Sequence, residues 1–118
     1  MTMTRLAFWL FAAVASGGLL MTLAIALKVS FPRGIGAIHG LAGLGAMCVL
    51  FAANLRGEAA TPEAAWWALG VFTGGFVGGV SLFRVIFRDR ATLPLIALHA
   101  SAGSAGLYLL YLAAFSAR

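Results

Sequence analysis

Acidic side chains are nearly missing from this chain of 118 residues: Glu58, Glu63 and Asp89 stand against eight lysines and arginines. Charge of either sign is scarce, at 9% of residues, while 63% are hydrophobic and the mean hydropathy is +1.03. A small soluble domain has a high surface-to-volume ratio and needs a polar shell, which this composition does not supply. Lipid is the expected solvent. The 15 glycines agree, since glycine is commoner in membrane helices than in soluble ones. A single cysteine, Cys48, excludes an internal disulfide and is expected to be a small buried thiol in mid-segment. The formal charge of +5 does not point to nucleic acid. Its basic residues sit at segment ends with few acidic neighbours, as on the cytoplasmic rim of a membrane protein.

Four apolar runs remain, each near the roughly 20 residues that a hydrocarbon core of about 30 Å demands. They cover about 6–27, 35–55, 63–87 and 93–115, and the expectation is one all-α domain, a four-transmembrane-helix bundle over 1–118. Arg5 and the following apolar run mimic a signal peptide. The run continues well past the cleavage-like Ala13-Val14-Ala15, so a retained helix is expected. Pro32 and Gly34 break the chain into a tight first loop after Lys28. Thr61-Pro62-Glu63 predicts a helix start, with Thr61 as cap and Glu63 at the positive helix end. Thr92 and Pro94 mark another. Trp66 and Trp67, and Tyr108 and Tyr111, are placed as interfacial anchors.

Loops one and three carry Lys28, Arg33, Arg88 and Arg90, with Arg84 one turn inside, against Arg5, Arg56 and Arg118 on the opposite side. That balance puts both loops in the cytoplasm of a bacterial inner membrane and both termini in the periplasm.

The only two histidines, His39 and His99, lie 60 residues apart. Sliding the chain by that interval also brings Gly18 onto Gly78, Lys28 onto Arg88, Ala42 onto Ala102 and Gly43 onto Gly103. The match predicts two parallel two-helix repeats, related by an axis along the membrane normal. Each histidine then sits roughly 6–9 Å into its helix from the 1.5 Å rise per residue. The pair is expected to face across the bundle axis near the cytoplasmic face. An intramembrane ionisable residue is a functional-site hypothesis by default.

Two imidazoles at one depth on parallel helices suit bis-histidine ligation of one b-type haem. Gly43 and Gly103, one turn beyond the ligands, remove side chains where a ring would lie. Lys28, Arg33, Arg84 and Arg88 stand where its propionates would need cations; lipid phosphate is the other partner weighed for Arg84 and Arg88. Here the chain resembles the four-helix haem cores of membrane b-type cytochromes, the cytochrome b561-like and respiratory cytochrome b families. The resemblance rests on topology and the two histidine motifs. It implies His39 and His99 as axial ligands of haem and a role in electron transfer. It implies an electron carrier or redox subunit rather than a stand-alone enzyme, with quinone or a redox partner protein supplying or taking electrons. Those families carry histidines toward both faces and hold two haems, whereas this chain carries them toward one.

Other readings stay open at this point. A chlorophyll-type pigment uses one histidine per magnesium. Zinc lacks third and fourth ligands, since Cys48 lies nine residues from His39. A small transporter or channel would have to run on the histidines, because no carboxylate falls inside a span. A membrane anchor subunit of a redox complex, or a homo-oligomer, is the remaining class. Gly70, Gly74 and Gly78, at spacing four, are expected to form a close-packing seam that also leaves room for a flat group.

Overall fold

In the computed structural model the chain is a bundle of four helices, described for residues 1–86 and 91–116. They are α1 (Met3–Ala26), α2 (Gly34–Leu55), α3 (Pro62–Val80) and α4 (Leu93–Phe115). Each is long and apolar enough to cross a membrane. A π-helical turn, Ser81–Ile86, continues α3 where regular α-helix was expected. The third loop with Arg88, Asp89 and Arg90, and Arg118 at the end, lie outside the described residues.

The helix ends follow local chemistry. α1 starts three residues earlier than expected because Thr2 caps it: its Oγ1 accepts from the Arg5 N–H at 3.3 Å. Glu58, from the loop before α3, accepts the Met3 N–H at 2.6 Å. Past Ala26 the chain leaves the helix through Lys28 at φ 56°, with Val29 N–H donating to the Ala24 carbonyl at 2.8 Å. Pro62 opens α3 with Glu63 in its first turn. Thr61 and Thr92 occupy the cap positions in extended backbone, yet neither side chain makes the expected capping bond.

α1 packs beside α2 and α4, and α3 beside the same two. α2 and α4 therefore share one diagonal of the bundle and α1 and α3 the other. Along its length the bundle divides in two. Among the described residues, the helices bury nothing on α1 beyond Phe11, on α2 before Ala46, on α3 beyond Phe72 or on α4 before Gly106. The core is confined to one half. Leu50 and Leu110 are its largest fully buried apolar side chains, and the stacked rings of Phe11 and Phe72, 3.6 Å between centres, lie at its inner limit.

Polar bonds stitch this closed half at its outer end. Arg5 Nε donates to the Ala114 carbonyl at 3.2 Å, and Ala60 N–H to the Ala113 carbonyl at 2.7 Å. Asn54, buried at the end of α2, donates from Nδ2 to the Ala65 carbonyl at 3.1 Å. Among the described residues, the other half carries the histidines and no such stitching.

Two expectations fail here. Cys48 is exposed on the bundle surface rather than buried. The glycine seam is also rotated by one residue. A Cβ on Gly70, Gly74 or Gly78 would meet nothing within 4 Å, whereas Gly75 and Gly79 are the positions that face α4. With glycines at 74, 75, 78 and 79, spacing alone gives no phase.

Candidate functional site

His39 is six residues into α2 and His99 seven into α4, so their depths differ by about one residue's rise of 1.5 Å. Because α2 and α4 stand on one diagonal, this shared depth becomes a meeting. The two rings face each other with centres 6.3 Å apart and planes at 66°. Each ring rests on a glycine of the helix beside it. A Cβ on Gly18 of α1 would lie 3.0 Å from Cε1 of His39, and a Cβ on Gly79 of α3 would lie 3.0 Å from Cε1 of His99. Phe83, in the π-helical turn, sets its ring edge-on to His99 at 5.8 Å. The partner of Gly18 is thus Gly79 and not Gly78, one residue from the register the sequence suggested.

Both rings are only partly exposed, and Nδ1 of His39 is buried without a hydrogen bond of good geometry among the described residues, although the Val14 backbone of α1 lies within reach of the ring. An unsatisfied buried nitrogen is rare and calls for a partner. Around the rings no described side chain is fully buried, so the described bundle here holds two polar rings without a packed core. Gly43 and Gly103 leave space beside them. A Cβ on Gly43 would come no nearer than 3.9 Å to Val14, and one on Gly103 would meet nothing within 4 Å.

Lys28, Arg33 and Arg84 are exposed at this end of the bundle. Arg84 reaches from the π-helical turn to α2. Its Nη2 lies 3.6 Å from where a Cβ of Gly36 would stand, one turn ahead of His39 on α2. The two acids among the described residues, Glu58 and Glu63, are at the opposite end beside the start of α3. Arg88 lies outside the described residues.

The chain matches no family model, no curated protein and no solved structure. Its site is therefore read from geometry. No group of three or more His, Cys, Asp or Glu comes together among the described residues. The pair alone suits a metal whose remaining ligands come with it. Two imidazoles clamping one metal, with bonds of about 2 Å to each nitrogen, hold their ring centres about 6 Å apart. The observed 6.3 Å fits that demand. A depression of about 390 Å³, lined by Phe8, Trp9, Ala12, Tyr111 and Phe115, carries no histidine, cysteine or carboxylate. It lies at the closed end and forms no part of the site.

The sequence pointed to the two histidines and the cations. It missed Gly79, whose signal was present but indistinguishable from its glycine neighbours. It also missed the approach of Arg84 to Gly36, which depends on the π-helical turn and leaves no mark in residue spacing.

Proposed function

We propose that this protein is a membrane b-type cytochrome that holds one haem between His39 and His99 and takes part in electron transfer. The observation that carries the reading is the facing histidine pair, 6.3 Å apart, in the half of the bundle where no described side chain is fully buried. Four apolar helices support insertion in a bilayer, as two parallel two-helix units. The basic loops support a cytoplasmic position for the histidine end, in a bacterial inner membrane with both termini periplasmic.

In this reading His39 and His99 are the axial ligands, and Gly18 and Gly79 seat their rings. A plane between two diagonal helices has its edges toward the other two. α1 and α3 meet that demand with glycine at the depth of the histidines. Gly43 and Gly103 keep bulk away one turn beyond the ligands. Lys28, Arg33, Arg84 and Arg88 hold the propionates or, for the outermost, lipid phosphate. The Val14 backbone of α1, within reach of the His39 ring, is the partner that would fix which nitrogen binds the metal. When bound, the haem supplies a one-electron couple whose potential depends on its axial ligands and on the polarity around it. The electron donor and acceptor are proposed to be a quinone and a redox partner protein, met at the bilayer or at the basic face.

The test is a visible spectrum of the detergent-purified protein, oxidised and then reduced with dithionite. A sharp reduced α-band with a shifted Soret peak supports the proposal. A featureless spectrum from protein made with ample haem sinks it, and leaves the histidines as proton- or ligand-binding groups of a transporter.

A further inference from the structure

Thr4 and Asn54 are the two buried polar side chains among the described residues, at 0% and 8% exposure. Each keeps one atom without a hydrogen-bond partner there: Oγ1 of Thr4 and Oδ1 of Asn54. Buried polar atoms are nearly always bonded, to protein or to ordered water. Local structure supplies no partner here. The hydroxyls of Ser16, Thr22, Thr73 and Ser101 each donate to the carbonyl four residues back, at 2.7–2.9 Å. Thr4 is the second residue of α1, so no helical carbonyl stands one turn behind it. Asn54 donates from Nδ2 to the Ala65 carbonyl, which fixes its amide and leaves Oδ1 as an acceptor.

Two helix registers bring these atoms to one place. α1 and α2 are antiparallel, with Gly18 against the His39 ring and Val14 beside Gly43. Helical steps of three and four from that pair run to Phe11 and Ala46, Ala7 and Leu50, then Thr4 and Ala53. All six are buried, and so is Asn54, which follows Ala53. α1 and α3 are parallel, with Phe11 stacked on Phe72. The same steps there pair Ala7 with Ala68 and Thr4 with Ala65, again all buried. Thr4 is therefore level with Asn54 on one helix and with the residue that Asn54 binds on another.

Small side chains surround this level. Ala53, Ala65 and Ala113 are fully buried, and Ala113 adjoins the Ala114 carbonyl that Arg5 reaches. Their methyl groups can bond neither oxygen. The next level inward is filled by Leu50 and Leu110. A buried water makes about two to four hydrogen bonds to groups otherwise left unpaired. Oδ1 can only accept, the hydroxyl can donate or accept, and water does both. It joins two oxygens that make no direct bond, at about 2.8 Å from each. A metal cation would ask for more oxygens than this pair offers. We infer that one ordered water is bound inside the closed end, between Oγ1 of Thr4 and Oδ1 of Asn54. It extends the Asn54–Ala65 bond into a polar chain from α1 through α2 to α3. The site is separate from the histidine pair and does not depend on what that pair holds.

The test is a crystal structure of the full-length protein at a resolution that shows ordered water, with unfolding of variants beside it. Density between the two oxygens, within hydrogen-bond distance of both, is the expected result. A direct bond from Thr4 to Asn54, or no density between them, overturns the inference. Thr4→Val keeps the shape of the side chain and removes the hydroxyl. It should lower the thermal unfolding midpoint in detergent by a few degrees. In the Asn54→Ala background the water has already lost its acceptor, so the same change should leave the midpoint unchanged or raise it. Equal shifts in the two backgrounds overturn the bridge. The wild-type density decides alone if a variant fails to fold.

Discussion

The ring of Phe72 lies so close to Gly106 that a Cβ on the glycine would stand 2.7 Å from Cε1. Phe72 cannot swing aside, because its other face is stacked on Phe11 at 3.6 Å. Gly106→Ala should therefore destabilise the bundle by about 1–3 kcal/mol, the usual cost of forcing a methyl into a packed core. Gly45→Ala, where a Cβ meets nothing, should leave stability unchanged or raise it. Thermal unfolding in detergent compares the two. Equal midpoints would mean that the closed half is not the rigid part of the molecule.

Removing either histidine should abolish low-spin haem. His39→Ala and His99→Ala each leave one axial nitrogen, and the reduced α-band should broaden or vanish in both. A variant with an unchanged spectrum would show that its ring is not a ligand.

The glycine seats give a finer test of the same geometry. A methyl on Gly18 or Gly79 would press a histidine ring at 3.0 Å, a contact the ring can relieve by moving a few tenths of an ångström. Gly18→Ala and Gly79→Ala should fold normally, yet shift the low-spin electron paramagnetic resonance signal or lower haem content. Gly78→Ala, one residue away, should do neither. If Gly78→Ala and Gly79→Ala behave alike, the rotation of α3 described here is wrong.

How much of this was legible in the sequence follows from the kind of signal each feature leaves. The four helices were legible because Pro62, Pro94 and the polar loops interrupt long apolar runs, although α1 starts at Met3 and regular α3 gives way to the π-helical turn after Val80. The histidine pair came through because depth depends only on residue count from a helix start. Rotation did not. Helices that are apolar all round have no polar face to mark which side is inside, so Cys48 was placed inward and the seam on Gly74 and Gly78. The interior position of Asn54 and the bond from Met3 to Glu58 were invisible too. Each joins residues that are distant in the chain or lie where a loop was expected to be solvated.

Asn54 separates stability from function. It holds the end of α2 to the first turn of α3 through the Ala65 carbonyl. Asn54→Ala removes that cross-helix bond from a carbonyl that keeps its own partner within α3, at a cost of about 0.5–1.5 kcal/mol. The unfolding midpoint should drop, while haem content at saturating haem stays at the wild-type level. A parallel loss of haem would mean that the two halves of the bundle are coupled.

Arg84 is the cation the structure brings across the histidine end. Arg84→Gln removes a positive charge that favours the reduced form, so the haem midpoint potential should fall, on the order of tens of millivolts for a partly screened charge. The difference should shrink as salt is added. A potential that matches wild type at low salt would assign Arg84 to lipid phosphate.

The stitching of the closed half bears on the order in which the molecule can be put together. Arg5 is bonded to the carbonyl of Ala114, and Ala60 to that of Ala113. Helices α1 to α3 can be synthesised without α4, but their shared end cannot close until α4 arrives. Biogenesis therefore has a late step. Until the segment around Ala113 and Ala114 docks, this end of the nascent bundle rests on the Met3–Glu58 and Asn54–Ala65 bonds without its links to α4.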